Sequence, residues 1–170
     1  MYGKETEFMK ICVLSDSHYK VGDPTFVFDY LRNHKFDYIV HAGDIGAIDF
    51  YNEIMAYAST YCVAGNCDNA YNEQYFGTRQ TLPLQKIKLG LIHGHQGIGE
   101  TPVERLQKIF RYDNVDVVVF GHTHEPFNEV IDGVLYFNPG SCSAKEEKPS
   151  LGILEVNGTD IKGEIVYLQK

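Results

Sequence analysis

The sequence predicts an α/β fold in which two β-sheets pack together and helices cover the outside. Strand-like and helix-like segments alternate in the first third of the chain, and the last third is rich in strands. The 170 residues, 44% hydrophobic and 22% charged, are typical of one globular domain. We therefore expect a single domain over 1–170, in which 1–8 form a frayed extension ahead of Met9.

Strands and helices alternate at the start of the chain. Helical periodicity follows Asp23 and Pro24, which fit the N-cap and the first position of a helix, and it recurs at 48–57. Short apolar runs predict three strands, at 11–14, 38–40 and 60–63. Because strands separated by helices pair in parallel, we expect a parallel sheet here.

The middle of the chain changes character. Segments 80–85 and 87–92 are predicted to be successive strands, and Thr101 is expected to cap a helix that runs to Phe110. The run 115–120, apolar except at Asp116, predicts a buried central strand.

Two hairpins are predicted in the last third, each with a turn of Asp or Asn followed by Gly. The first spans 129–137, and the second joins 152–156 to 161–168. Segments 70–78 and 97–102 are expected to be loops that shape a pocket.

The charge balance excludes several partners. Asp and Glu number 23 against 15 Lys and Arg, a formal net charge of −8. We expect neither a stable nucleic-acid partner nor binding to an anionic membrane, because both depend on Lys and Arg. No segment has the ~20 apolar residues of a membrane helix. Residues 1–10 lack the apolar centre of a secretory signal, so the cytoplasm is the expected compartment.

Candidate metal ligands occur in five short clusters, each placed where a predicted strand ends. They are Asp16, His18, Asp44, Asn66, His93, His122 and His124. Because sites in open α/β sheets form beyond the carboxyl ends of strands, we expect these side chains to meet. Residues i and i+2 of an extended segment point the same way, so Asp16 and His18 are expected to face one ion. Carboxylate, imidazole and amide ligands together indicate hard or borderline divalent metals.

The ordered motifs resemble those of the calcineurin-like metallophosphoesterase superfamily, and most of all its small YfcE-type phosphodiesterases. They span 16–124, and Asn138-Pro139-Gly140-Ser141 resembles a further motif, so the resemblance covers nearly the whole chain. It implies a four-layer α/β-β/α sandwich, with two mixed sheets flanked by helices. It also implies a metal-dependent phosphodiesterase that hydrolyses a phosphate diester through two divalent ions and a bridging hydroxide.

The resemblance implies a role for each candidate ligand. Metal one would be bound by Asp16, His18 and His124, metal two by Asn66, His93 and His122, and both by Asp44. Two ions about 3.5–4 Å apart clamp a phosphoryl group and activate a water. Mn²⁺ is the first expectation, with Ni²⁺, Zn²⁺, Fe²⁺ and Mg²⁺ as alternatives, and the substrate is a small phosphate ester.

Catalytic roles are assigned to Asp44, Asn66, Cys67 and His95. Many superfamily members have His in a Gly-Asn-His-Asp motif where this chain has Cys67, as small YfcE-type members can. A thiol with an ordinary pKa of about 8.5 is a poorer general acid than an imidazolium, and nearby cations favour the thiolate. We therefore expect slow turnover and a preference for good leaving groups. His95 has three interpretations: an outer partner of the metal site, a substrate contact, or a hydrogen-bonded residue of the rim.

Other interpretations stay open. A phosphomonoesterase or pyrophosphatase on the same site would need a cationic clamp, which none of the arginines clearly provides. A scaffold role is also considered, because a retromer scaffold subunit resembles this fold with a degraded metal site; the intact positions here disfavour it. Taken singly, Asp16 and Asp44 also fit helix N-caps. An exposed strand edge in the last third would favour a homo-oligomer.

Overall fold

The computed structural model describes residues 8–20 and 22–170, which form ten strands and four helices. In chain order, the strands are β1 (Phe8–Leu14), β2 (Tyr38–His41), β3 (Ser59–Cys62), β4 (Arg79–Leu84), β5 (Ile87–Ile92), β6 (Val117–Val119), β7 (Phe127–Ile131), β8 (Val134–Asn138), β9 (Ser150–Asn157) and β10 (Asp160–Tyr167). The helices are α1 (Thr25–Asn33), α2 (Ile48–Ile54), α3 (Ala70–Phe76) and α4 (Pro102–Phe110). Within the described ranges, no helix has the length and apolarity needed to cross a membrane.

The first sheet has the strand order β10-β9-β1-β2-β3. Strand β1 pairs in parallel with β2, and β2 with β3, as the alternation of strands and helices predicted. The β9–β10 hairpin closes the other side of β1 in antiparallel register, with Ile11 opposite Leu154. The last two strands of the chain therefore complete a sheet that the first three begin.

The second sheet has the strand order β4-β5-β6-β8-β7. Its three inner strands, β5, β6 and β8, run parallel, and the edge strands β4 and β7 are antiparallel to their neighbours. Strand β6 lies at the centre and all of its residues are buried, which confirms the prediction from its apolar run.

Alternate side chains along each strand point to opposite faces of its sheet, so one set packs between the sheets and the other packs under the helices. In β1, Ile11 and Val13 pack against the second sheet, whereas Cys12 and Leu14 pack under α1 and α2. Phe110 of α4 packs on the outer face of the second sheet. Burying each side chain of this size contributes roughly 1.5–3 kcal/mol, so the sheet–sheet layer is a major source of stability. The result is the four-layer α/β-β/α sandwich, with two mixed sheets flanked by helices.

Segment 70–78, expected to be a loop, instead contains α3. Its N-cap is Asn69, whose side-chain oxygen accepts a hydrogen bond of 2.9 Å from the backbone N–H of Asn72. Such a cap satisfies one of the donors that the first helical turn leaves free. Phe76, at the other end of the helix, packs into the core beside the first sheet.

Several element ends also differ from the prediction. Helix α1 begins at Thr25 with Pro24 in the cap position, and the Asp23 carboxylate accepts the Thr25 N–H at 2.9 Å. Strand β1 begins at Phe8, which therefore belongs to the sheet; the rest of the expected extension, 1–7, lies outside the described residues. Helix α2 ends at Ile54, three residues early, and the other strand ends shift by two residues or fewer.

Candidate metal centre

The predicted ligands lie in loops at the carboxyl ends of five strands. The loops after β1, β2, β3, β5 and β6 carry all of them, namely Asp16, His18, Asp44, Asn66, His93, His122 and His124. The first three loops extend from the first sheet and the last two from the second. Both sheets therefore contribute to one site, which lies beyond the carboxyl ends of the strands, where open α/β sheets usually bind their ligands.

A first group consists of Asp16, His18 and His124, whose potential ligand atoms all lie within 4.8 Å of one another. The Nε2 atom of His124 is 3.2 Å from Oδ1 of Asp16, and that of His18 is 3.9 Å from the same oxygen. The two Nε2 atoms are 3.4 Å apart. This is the set that the resemblance assigns to metal one, and its members have the mutual spacing that one ion requires.

A second group consists of Asp16, Asp44 and His93, all three buried and within the same 4.8 Å limit. Nε2 of His93 is 3.3 Å from Oδ2 of Asp44 and 3.9 Å from Oδ1 of Asp16. His18 also approaches Oδ2 of Asp44, at 3.7 Å. Asp44 thus lies between the histidines of the two sheets, where a bridging carboxylate is expected.

Three other candidates are placed more loosely. The rings of His122 and His95 have their centroids 5.2 Å and 5.4 Å from that of His93, so both flank the buried histidine. Asn66 is exposed, and its amide nitrogen lies 3.5 Å from the Cys67 sulfur. Within residues 8–20 and 22–170, no hydrogen bond joins Asn66 to His93 or His122, and its ligand role stays a prediction.

Cys67 has a second possible role beside the one assigned from the sequence. Its exposed thiol lies within 4.8 Å of ligand atoms of His18 and Asp44, so these three side chains form a further group able to hold an ion. The backbone N–H of Cys67 also donates to Oδ1 of Asp44 at 2.8 Å. Burial, followed by the contact with Asp44, raises the pKa of the thiol. Because nearby carboxylates, Asp44 first, add to the effect of burial on the thiol pKa, the expected preference for thiolate depends on bound cations.

The backbone at this site is left-handed, a conformation that the sequence does not predict. Five non-glycine site residues have positive φ angles: Asp16 (52°), His18 (43°), Asp44 (54°), His122 (69°) and His124 (60°). An extended segment was expected at Asp16 and His18, so the reason given for their convergence was wrong, although the side chains do converge. Such residues carry strain of about 1–3 kcal/mol each, and they persist where surrounding contacts determine the conformation.

The carboxylates of Asp16 and Asp44 are held in the ionised form. Burial acts to raise the pKa of Asp16, but the contact with His124 and the charge of His93 outweigh it and lower that pKa. Burial likewise opposes ionisation of Asp44, and the contact with His93 and the Cys67 N–H lower the pKa of Asp44 well below its usual range. Both acids are thus negative at neutral pH.

The histidines divide into two classes. Contact with Asp16, and less strongly with Glu146, raises the pKa of His124 to about 9, and Asp44 and Asp16 raise that of His93 against the effect of burial. Burial and the charge of His93 lower the pKa of both His95 and His122. The raised pKa values favour a second proton on His93 and on His124 in the absence of metal, and a divalent cation would displace the proton from each Nε2.

Supporting residues around the site were missed from the sequence. Asp68 accepts backbone N–H groups from Ile45, Gly46 and Gly65 at 2.8–3.2 Å, which ties the loops after β2 and β3 together. Glu146 contacts His124 from 22 residues away. The position of Asp68 in the same motif as Cys67 is a signal that could have identified it. The sequence around Glu146 contains no comparable motif.

The residues fit divalent metal ions. Four buried side-chain atoms in the described part of the chain have no hydrogen-bond partner, and two of them, Oδ1 of Asp16 and Nε2 of His93, face the cluster. A buried polar atom without a partner costs about 1–3 kcal/mol, so each needs a compensating contact. Carboxylate oxygens and imidazole nitrogens are ligands for Mn²⁺, Fe²⁺, Ni²⁺ and Zn²⁺.

The whole chain is similar to several known proteins. A family model described as the calcineurin-like phosphoesterase superfamily domain matches residues 9–159. A probable metallophosphoesterase of Methanothermobacter thermautotrophicus is 32% identical over 165 residues, 93% of this chain and 92% of that protein. A phosphodiesterase of Methanocaldococcus jannaschii is 27% identical over 174 residues, 93% of this chain and 99% of the other. The crystal structure of an Entamoeba histolytica Vps29 variant superimposes with a TM-score of 0.76 at 25% identity, covering 95% of this chain and 100% of that one.

Proposed function

This chain belongs to the calcineurin-like phosphoesterase superfamily, and on that premise we propose that it is a metal-dependent phosphodiesterase acting on a small phosphate diester. The family and the relative named phosphodiesterase support a hydrolase that uses divalent metal. The observation that carries the proposal is the convergence of Asp16, Asp44 and His93 in the buried wall of the site, with His18 and His124 at its mouth.

Two ions are proposed, with Mn²⁺ as the first expectation. Asp16, His18 and His124 form the first metal position, Asn66, His93 and His122 form the second, and Asp44 serves both. When bound, the ions would polarise a phosphoryl group and lower the pKa of a water molecule. A carboxylate that bridges two ions must be ionised. Asp44 meets this requirement, because it is buried and its pKa is lowered.

The other site residues act on the substrate. Asn66 is exposed and offers an amide N–H to a phosphoryl oxygen. His95, at the rim beside His93, is placed to contact the substrate in the neutral form that its lowered pKa favours. Cys67 carries a protonated thiol whose Sγ proton would pass to the leaving oxygen.

The test is an initial-rate assay on bis(p-nitrophenyl) phosphate and on p-nitrophenyl phosphate. Metal-stripped protein is reloaded separately with Mn²⁺, Ni²⁺, Zn²⁺ or Mg²⁺. We expect metal to restore diester cleavage in the natural protein and Asp44→Asn to lower that rate by roughly 10²-fold or more. Asp37→Asn, the same change at the amino end of β2, is the control and should leave the rate unchanged. A diester rate that survives Asp44→Asn would overturn the proposal.

Cleavage of monoesters or pyrophosphate is the alternative, and Arg105 is the residue that favours it. Burial and the charge of His93 lower the pKa of His122, and the positive charge of Arg105 makes a smaller contribution in the same direction. A dianionic monoester would benefit from such a charge more than a diester does. A monoester rate above the diester rate that falls selectively in Arg105→Ala would support this alternative.

The remaining expectations are proposals of the same kind. We infer no stable nucleic-acid or membrane partner, and a cytoplasmic location. Sedimentation tests the proposal of a homo-oligomer. The initial-rate assay on phosphate esters tests the scaffold role. Binding of two ions without turnover of any phosphate ester would favour the scaffold.

A further inference from the structure

The ring of His124 is engaged at both nitrogens. Its Nδ1 atom lies 2.8 Å from Oε1 of Glu146, and its Nε2 atom lies 3.2 Å from Oδ1 of Asp16, inside the cluster. A carboxylate has only acceptor atoms when ionised, so the Nδ1 side of this contact must carry the hydrogen. Nε2 is then the nitrogen left for an ion.

His93 shows the same division with a different partner. Its Nδ1 atom lies 2.7 Å from the carbonyl oxygen of Ala42, which again requires hydrogen on Nδ1 and leaves Nε2 toward Asp44. Two histidines on opposite sides of the site are therefore held in the same tautomer. The partner of His93 is backbone inside the core, whereas the partner of His124 is a side chain that is about one-third exposed.

The turn that carries Glu146 is tied to the site by backbone and hydroxyl groups. The Ser141 hydroxyl donates to the carbonyl of Asp16 at 2.9 Å and accepts the backbone N–H of Ser143 at 3.2 Å. The N–H of Glu146 in turn donates to the carbonyl of Ser143 at 3.1 Å. Glu146 is thus connected to Asp16 through the turn as well as through His124, so its position relative to the site is defined.

We propose that Glu146 is a positioning residue that fixes the ring orientation and tautomer of His124 and thereby sets the affinity of the first metal position. This inference rests on the proposed function, because it presumes that His124 binds an ion. Carboxylate partners of ligand histidines orient the ring and increase its basicity, and their loss typically weakens metal binding 10–100-fold. Because Glu146 contacts no other candidate ligand in the described part of the chain, its effect is confined to that position.

The first measurement is calorimetric titration of metal-stripped protein with Zn²⁺ and with Mn²⁺, which needs no substrate. Natural protein is compared with Glu146→Ala, Glu146→Gln and Glu147→Ala. Glu147 is the matched control, since it is the adjacent exposed acid and makes no contact with a candidate ligand in the described ranges. We expect Glu146→Ala to weaken one of two binding events about 10–100-fold, the other event to be unchanged, and Glu147→Ala to match the natural protein.

The second measurement is nitrogen NMR of the histidine rings in Zn²⁺-loaded protein. We expect hydrogen on Nδ1 of His124 in the natural protein and in Glu146→Gln, which keeps an acceptor oxygen, and loss of the uniform tautomer in Glu146→Ala. Equal affinities in the natural protein and Glu146→Ala, or a tautomer that does not change, would overturn the inference while leaving the phosphodiesterase proposal intact. Natural protein that binds no ion would overturn both.

Discussion

The backbone N–H of His122 donates a hydrogen bond of 3.0 Å to Oδ2 of Asp16, although the two residues are 106 positions apart. This bond joins the loop after β6 in the second sheet to the loop after β1 in the first. Its acceptor also receives the Ser15 hydroxyl at 2.6 Å. Gly121 permits the approach, because a Cβ atom there would overlap the Ser15 hydroxyl and lie 2.6 Å from Oδ2 of Asp16.

Gly121→Ala is therefore expected to separate the two loops. We expect a loss of about 3 kcal/mol in the free energy of unfolding, the upper part of the range for overpacking, and weaker binding of both ions. The control is Gly133→Ala in the β7–β8 turn, where φ is +81° and no atom of the described residues lies within 4 Å of the new Cβ. In that variant we expect backbone strain to lower the free energy of unfolding by about 1–2 kcal/mol and metal binding to be unchanged. Urea unfolding and metal titration measure both effects, and unaltered metal affinity in Gly121→Ala would contradict the prediction.

Asp68→Asn is expected to loosen the loops that carry Asp44 and Asn66. The change replaces one carboxylate oxygen by an amide nitrogen, which faces backbone N–H donors and cannot accept from them. We therefore expect the free energy of unfolding to fall by about 2–3 kcal/mol and metal affinity to be reduced. Asp37→Asn is the matched control, because within residues 8–20 and 22–170 Asp37 accepts one backbone N–H, from Lys10 at 2.7 Å, and it lies at the opposite end of β2. Chemical denaturation should show a clearly smaller loss for Asp37→Asn; equal losses would mean that Asp68 has no special role.

The buried, hydrogen-bonded ring of His41 leads us to expect a loss of stability at acid pH. The Gly43 N–H faces its Nδ1 at 3.2 Å, and the Ser17 hydroxyl, which donates to the Ile45 carbonyl, faces its Nε2 at 2.9 Å. The neutral ring satisfies both contacts, whereas a second proton would face the Gly43 N–H. Burial first of all lowers the pKa of His41 to about 4, below its ordinary value of 6.5.

The unfolded chain therefore binds more protons than the folded one between these two pKa values. The contribution of His41 is complete above pH 6.5 and decreases as the pH falls toward 4, by at most about 1.4 kcal/mol per pH unit. Urea unfolding of metal-free protein at pH 7.5 and pH 5 measures the difference. His41→Gln should flatten the dependence, and His34→Gln, at an exposed histidine, should retain it. A variant lacking His41 with an unchanged pH profile would refute the assignment.

Cys67 should matter most for substrates with poor leaving groups. Its thiol proton is retained at neutral pH because burial and Asp44 raise its pKa. We expect Cys67→Ala to slow alkyl phosphodiesters by roughly 10-fold or more and aryl diesters much less, and Cys67→His to accelerate the alkyl substrates selectively. Rates across a leaving-group series test this. If Cys67→Ala is silent on every ester, the residue does not act as an acid.

Thiol labelling gives an independent check on the same residue. Cys12, Cys62 and Cys142 are buried, and burial raises the pKa of each thiol, that of Cys142 to about 12. We expect folded protein to react with iodoacetamide at Cys67 alone, and bound metal to change that rate. Modification of any other cysteine before unfolding would contradict the burial described here.

Local patterns were sufficient to predict most of the fold. The β5 strand and the helix that Thr101 caps were predicted with their observed bounds, because apolar runs and caps are encoded within a few residues. Helix α3 was missed although Asn69 is a good N-cap, since its aromatic side chains at 71, 75 and 76 are a weak helical signal. Five of the seven candidate ligands also lie close together, whereas Asn66 and His122 are placed more loosely.

The conformations within the site were not predictable in the same way. Left-handed φ angles at Asp16 and His18 are disfavoured locally. They are compensated by contacts with a distant loop, in which the N–H groups of Asp16 and His18 donate to the carbonyls of Gly43 and Asp44, each at 3.0 Å. The Glu146–His124 contact has the same character, since it depends on how two loops meet rather than on either sequence. Only a structure supplies such information.

The strand order of the first sheet has a consequence for synthesis of the protein. All seven candidate ligands precede residue 125, but β9, the neighbour of β1 on its open side, begins at Ser150. A nascent chain that already carries every ligand therefore presents one edge of β1 with unpaired N–H and C=O groups, which is a template for pairing with another chain. A chain terminated between these points would expose that edge and be prone to aggregation, whereas the full chain covers it by pairing β9 with β1.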